Sequence, residues 1–382
     1  MIKPLLYAGL PLLMTIGGSA AFADTIKFGV PVPLSGPYAS AGIDIANAAK
    51  LAAAKINAAG GVLGKQIEIV AEDDTCDAQT GVQAAQKLID GGIAIATGSY
   101  CSGAALPELV AFHRAGIPYV LDAATNPKLT SMGFDDVFRT IGRDDEQGPF
   151  AGAYISGYLH AKKAAVIDDN TTYSKGLADN TVAALKKDGV DVVYYDAITP
   201  GQMDYSAVLS HVSSLSPDVI YYTGYFSEAG LLAKEAAALH VTAKMMGGDA
   251  TNDTTLIKTA GPAAEGWTAT TAPLPQFLSG AKDFVTDFTK AYNTAPGPYS
   301  AYEYDAVSVA AKAIADAGST DPKAITAALH KIANYQGLTG SITFNSVGDR
   351  TIASYITVVV KDGAFAPGMK LDASGAWVPV QQ

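Results

Sequence analysis

A chain of 382 residues with 26 basic and 37 acidic side chains carries a formal charge of −11. It repels polyanions, and no cluster or stripe of Lys and Arg offsets this locally, so nucleic acid is a poor partner. The length exceeds what one hydrophobic core usually serves and predicts two domains.

Residues 1–23 read as a secretory signal peptide. Lys3 gives a positive start, Leu5 to Ile16 an apolar core, and Ala21-Phe22-Ala23 a small-x-small cleavage site. The run is short and broken by Pro11, Gly17 and Gly18, which argues against a membrane span. With no cysteine at the cleavage junction for a lipid anchor, the mature chain is expected free in the periplasm, as a monomer.

Strand and helix then alternate. Ile26 to Val32 predicts a strand, Ala39 to Ala58 a helix stopped by Gly60-Gly61, and Gln66 to Ala71 a second strand. Ala78 to Asp90 is a helix behind an Asp77 N-cap, with Gly91-Gly92 as its stop. Ile93 to Thr97 and Pro118 to Leu121 continue the series. After Gly142 the pattern restarts: strand Ala164 to Asp168, helix Lys175 to Asp188, strands Val190 to Asp196 and Val219 to Gly224, helix Glu228 to Leu239, strand Lys244 to Gly247, and a short strand near Trp267. A helix over Ala281 to Tyr292 lies in proline-rich punctuation. Tyr302 to Ala317 and Pro322 to Ala333 are helices without a sheet of their own, and their simplest host is the first sheet. Ile342 to Phe344 and Ser354 to Val360 are late strands. The fold class is therefore α/β, with two doubly wound lobes joined by a multi-strand hinge. Residues 24–142 and 273–350 form lobe 1; residues 143–272 and 351–382 form lobe 2 and a C-terminal tail.

Cys76 and Cys101, the two cysteines of the chain, follow predicted neighbouring strands. In an exported protein they are expected to pair. Free thiols or a redox pair is the alternative, although the C-x-x-C spacing of redox sites is absent.

Two strand ends are chemically suggestive. Tyr100-Cys101-Ser102-Gly103 and Asp122-Ala123-Ala124-Thr125 each run from a strand into a loop, the first opening a helix with Ser102 as a candidate N-cap. Singly, such loops are ordinary punctuation. As a pair they offer hydroxyls, backbone N–H groups and the positive end of a helix to one small anion such as a carboxylate. In the second half, Tyr173, Tyr225 and Asp249 follow strand ends facing the first lobe. Tyrosine is common in this chain, 19 in all, and Asp249 has the bland reading of an N-cap. Opposite two carboxylate-binding loops, however, Asp249 supplies the partner that a desolvated ammonium needs.

Catalytic and cofactor patterns fail. The five histidines, at positions 113, 160, 211, 240 and 330, stand singly, without H-E-x-x-H or a second ligand at metal spacing, so no metal is expected. Gly60-Gly61-Val62-Leu63-Gly64-Lys65 resembles a phosphate loop until Gln66, where Ser or Thr should stand. There is no G-x-S-x-G and no G-x-G-x-x-G, so no cofactor and no enzyme is expected. The rival from that class is a hydrolase using Ser102 with one of the histidines.

These residues resemble the type I periplasmic substrate-binding proteins, specifically the leucine/isoleucine/valine-binding group that serves ABC importers. The likeness is carried by Pro33-Leu34-Ser35-Gly36-Pro37, Ile56-Asn57-Ala58-Ala59-Gly60-Gly61, Asp73-Asp74-Thr75-Cys76-Asp77, Tyr100-Cys101-Ser102, Ala123-Ala124-Thr125, Arg139-Thr140 with Asp145 to Gly148, Tyr173, and Gly224-Tyr225. The resemblance implies that Ser102 and Thr125, with the backbone at Ala123 and Ala124, hold a ligand's α-carboxylate. It implies that Asp249, where the family often has the longer Glu, takes the α-ammonium, helped by Tyr173 and Tyr225. Tyr100 falls at a side-chain position that is aliphatic in leucine binders, Ala41 falls where they place an aromatic, and Tyr299 stands at another aromatic wall position. The implied partners are a free amino acid and the membrane permease of an importer. An amide, a γ-amino acid or an aromatic carboxylate is the alternative ligand, and a sensory receptor the alternative recipient.

Overall fold

The computed structural model describes residues 25–381; the predicted signal peptide lies outside the described residues. Five strands form the first sheet: β1 (Ile26–Val32), β2 (Ile67–Asp73), β3 (Ile95–Thr97), β4 (Tyr119–Leu121) and β5 (Val137–Arg139), in the order β2-β1-β3-β4-β5. All its pairings are parallel. Central strands of such a sheet are covered on both faces, which is why β1, β3 and β4 are almost continuously apolar and buried.

The second sheet begins with β6 (Lys163–Asp168), β7 (Asp191–Ala197), β8 (Val219–Tyr222), β9 (Lys244–Gly247) and β10 (Thr268–Thr271). The last part of the chain adds a hairpin, β11 (Tyr335–Gly337) with β12 (Gly340–Ile342), then β13 (Ile356–Lys361), β14 (Ala364–Pro367), and a terminal hairpin of β15 (Met369–Leu371) and β16 (Trp377–Pro379). The second sheet is ordered β14-β13-β10-β9-β8-β6-β7, with its two latest strands antiparallel. Helix Ser300–Ala317 packs on helix Ala39–Ala58 of the first sheet, as its lack of an adjacent strand demanded. The chain thus leaves the first sheet after Arg139, returns after Thr271, and leaves again between Asp349 and Ile356.

Several boundaries differ from expectation. The helix that ends at Ala115 begins at Ser102 itself, and Cys101 is its N-cap, because extended backbone persists to the disulfide-bonded residue. Thr171, whose hydroxyl accepts the Ser174 N–H, starts the helix Thr172–Lys187 three residues earlier than predicted. The late strand expected at Ile342–Phe344 is the hairpin strand Gly340–Ile342, and β5 was unforeseen. Asp77 caps its helix as predicted, accepting the N–H groups of Gln79 and Thr80.

Cys76 and Cys101 form a disulfide, with Cα atoms 5.3 Å apart. Thr75 and Cys76 both take left-handed backbone (φ 50° and 58°), a strained choice for residues with side chains. The carboxylates of Asp73 and Asp74 hold them there by accepting the N–H groups of Thr75 and Cys76. Replacing both cysteines by serine frees 25 residues of chain. This is expected to cost about 3–4 kcal/mol of stability, read by urea unfolding.

Two pairs of buried acids lie in the first lobe. Glu108 accepts the Tyr119 hydroxyl at 3.1 Å and faces Asp74; Glu303 accepts Thr97 at 2.8 Å and faces Asp122. Burial raises all four carboxyls, Asp74 to about 6, and within each pair the neighbouring charge raises Glu108 and Glu303 further. Unfolded, these groups titrate at about 4. Between that pH and the raised folded values the native state holds protons that the unfolded chain has lost, so stability falls as pH rises. The melting temperature is therefore expected to be higher at pH 5 than at pH 8; a flat or rising profile over that range would contradict this assignment.

Candidate functional site

The carboxyl ends of β3 and β4 build one wall. Gly98 turns the chain at φ +80°, and a Cβ there would come within 2.6 Å of Val30 Cγ1, so glycine is required. This turn delivers Ser99, Tyr100, Cys101 and Ser102 in succession. The Ser99 hydroxyl donates to Asp122 Oδ1 at 3.0 Å and accepts the N–H groups of Ala123 and Ala124 at 3.3 and 3.1 Å. It is thus the hub that shapes the second loop. The Ser102 hydroxyl accepts the Asn126 N–H at 3.4 Å, tying the two loops together. The Thr125 hydroxyl is buried, makes no hydrogen bond of good geometry, and lies beside the Asp144 carboxyl. Arg139 fixes the loop from behind, donating to the carbonyls of Ala124 and Asn126 at 3.1 Å each.

The opposite wall comes from the ends of β6, β8 and β9. Tyr173 stands in the first turn of its helix, Tyr225 caps the helix Phe226–Ala238, and Asp249 opens a short 3-10 turn after Gly248. Tyr173 donates to Asp249 Oδ1 at 2.7 Å and Tyr299 to Oδ2 at 2.9 Å. Tyr299 is the N-cap of the helix packed on the first sheet, so the Asp249 carboxylate of the second sheet is gripped from both sides. Burial raises its carboxyl, and the two hydroxyls pull it back down; no ion pair offsets its charge among the described residues.

Tyrosine rings close the space between the walls. Tyr100 lies 5.7 Å from both Tyr225 and Tyr299, and Tyr225 lies 5.2 Å from Tyr173. Asn126 Nδ2 reaches across to the Thr172 carbonyl at 2.7 Å. The structure therefore gathers Tyr100, Tyr173, Tyr225, Asp249 and Tyr299 around one buried region, next to the two tied loops that carry Ser102 and Thr125. The N–H groups of Ala123 and Ala124 already serve Ser99, which leaves the hydroxyls of Ser102 and Thr125 as the freer polar groups.

Four residues here escaped the sequence reading. Tyr38 puts its ring 4.7 Å from Tyr225 and 6.3 Å from Tyr100, so it supplies the aromatic that Ala41 lacks, one helical turn earlier. Its signal was the turn Gly36-Pro37-Tyr38 directly after β1. Ser99 and Asn126 are visible only as loop residues. Asp144 is fully buried beside the Thr125 hydroxyl, short of a well-formed hydrogen bond; burial and then the charge of Asp249 raise its carboxyl, and Thr125 draws it back down.

Ser102 has no histidine among its hydrogen-bond partners. The histidines are isolated in sequence, but folding brings His113 beside Asp135 and Asp136, the one such cluster among the described residues. Its Nδ1 lies 2.9 Å from both Asp136 oxygens. The cluster sits at the amino ends of β4 and β5, at the far end of the sheet from the site.

A family model described as periplasmic binding protein matches residues 25–364. The Leu/Ile/Val-binding protein homolog 1 of Brucella suis is 33% identical over 364 residues, covering 95% of this chain and 98% of that protein. The crystal structure of the leucine binding protein LivK from Thermotoga maritima superimposes with a TM-score of 0.84 at 30% identity, over 89% of this chain and 97% of that one. The branched-chain amino acid transporter substrate binding protein LivJ from Streptococcus pneumoniae, in complex with isoleucine, gives 0.83 at 26% identity, over 93% and 100%. With a match that runs through nearly the whole of each chain, two α/β sheets and a site between them, this protein belongs to the periplasmic binding protein family in its type I form.

Proposed function

We propose that the protein captures a free α-amino acid, branched-chain or related, between two closing lobes in the periplasm and delivers it to the permease of an ABC importer. Lobe 1 comprises residues 24–142 and 273–350, lobe 2 residues 143–272 and 351–382. The observation that carries this reading is the Asp249 carboxylate, buried between Tyr173 after a strand of the second sheet and Tyr299 from the helix side of the first. A zwitterion matches both walls: its ammonium pairs with Asp249, its carboxylate with the Ser102 and Thr125 hydroxyls and the helix start at Ser102. Relatives named for leucine, isoleucine and valine binding support the amino-acid frame. The ligand favours closure because Asp249 and Tyr225 on one lobe and Ser102 on the other contact it together only when the lobes meet.

A thermal-shift panel of the common amino acids and small carboxylates tests this. A ligand held at about 1,000 times its Kd stabilises the native state by about 4 kcal/mol. One or a few amino acids are expected to raise the melting temperature; a panel in which no amino acid does so while a plain carboxylate does would overturn the amino-acid reading.

A further inference from the structure

A cavity of about 720 Å³ shares no residue with the site above. It lies against two of the segments that pass between the sheets, Pro273 to Lys282 and Ala353 to Ile356, and is walled on another side by Lys370 and Leu371 of β15. Phe150, Phe277 and Tyr355 give it an aromatic lining. Phe150 is itself fixed, 5.9 Å from the Tyr355 ring and 5.4 Å from Trp377. The Tyr355 hydroxyl is engaged elsewhere, donating to the Arg143 carbonyl at 2.8 Å.

The charged residues that line this cavity are both cationic, although the carboxylates of Glu146 and Asp144 act on Tyr355. The chain has 37 acidic residues and a net charge of −11, yet no Asp or Glu lines the cavity and two lysines do. Neither Lys282 nor Lys370 makes an ion pair among the described residues. Lys282 is also the first residue of an 11-residue helix, whose start adds partial positive charge beside Ser279. Asp283, the next residue, is exposed and is not part of the lining. An aromatic wall with cations at its edge is complementary to a molecule with an apolar body and one negative end.

We propose that this cavity is a second binding site, for a small amphipathic carboxylate whose hydrocarbon lies on Phe150, Phe277 and Tyr355 and whose carboxylate is met by Lys282 and Lys370. Both lysines are exposed, so reversing their charge leaves the core untouched. The test is calorimetric titration of octanoate into the mature protein, its K282E/K370E variant and its Asp249→Asn variant, with thermal melts to confirm folding. Expected are saturable binding to the unaltered protein, at least a tenfold loss in K282E/K370E, and no change in Asp249→Asn. Absence of saturable binding, or equal affinity after lysine reversal, overturns the proposal. A changed octanoate affinity in Asp249→Asn, a gain above all because the substitution removes a negative charge from the cleft, would place the probe in the interlobe cleft and overturn it too. Amino-acid binding is scored separately in each variant, so failure of the cleft assignment remains distinguishable from failure here.

Discussion

Replacing Asp349 by alanine is expected to destabilise the protein by about 3–5 kcal/mol, the range found when one partner of a buried ion pair is removed. Asp349 is almost wholly buried and accepts Arg139 Nε at 3.0 Å, Arg143 Nη1 at 2.6 Å and the Thr130 hydroxyl at 2.9 Å. Arg139 is fully buried; burial pulls its guanidinium down and the Asp349 charge pushes it back up. Without Asp349 that guanidinium keeps its bonds to Thr130 and to the carbonyls of Ala124 and Asn126, but nothing nearby offsets its charge as directly. Arg143→Ala is the control, because the Arg143 side chain is 24% exposed and its loss strands no fully buried cation. Urea unfolding should rank Asp349→Ala well below Arg143→Ala; equal, small losses would mean that the Arg139 charge is stabilised by other groups. Because Arg139 holds the 124–126 loop, ligand affinity should fall in Asp349→Ala as well.

The second large effect is expected for Asp249→Asn. The substitution keeps the shape of the side chain and removes the charge, and breaking a buried charge pair at a binding site costs about 2–5 kcal/mol. Amino-acid affinity should therefore drop about thirtyfold or more. The free protein should not suffer, since burial disfavours the Asp249 charge in the first place and the two tyrosine hydroxyls can bond an amide. Calorimetry and melting curves on the same sample would show this split. A variant that loses stability and affinity together would assign Asp249 a structural role.

Much of the fold was readable because its signals are local. Strand β1 and helix Ala39–Ala58 carry period and punctuation strong enough to place them within a residue, and Asp77 announces a cap. Strand β5, three residues long, has no such signal; it exists because Val137–Arg139 finds β4 on one side and, at Arg139, Asp349 on the other. The terminal hairpins are likewise made by distant partners, Trp377 packing on Phe150 and Tyr154. In the site, Ser102, Thr125 and Asp249 stood out because they follow strand ends. Tyr38, Ser99 and Asp144 did not, since their roles lie in contacts with Tyr225, Ala124 and Asp249 that folding alone creates.

Capture of an amino acid requires its ammonium to pair with Asp249 while its carboxylate meets the Ser102 and Thr125 loops. Calorimetric titration of the unaltered protein with the amino acid that raises its melting temperature most, against the same molecule lacking its amine, tests this directly. Loss of the amine is predicted to weaken binding about thirtyfold or more, as in Asp249→Asn. Equal affinity for the two molecules would contradict it.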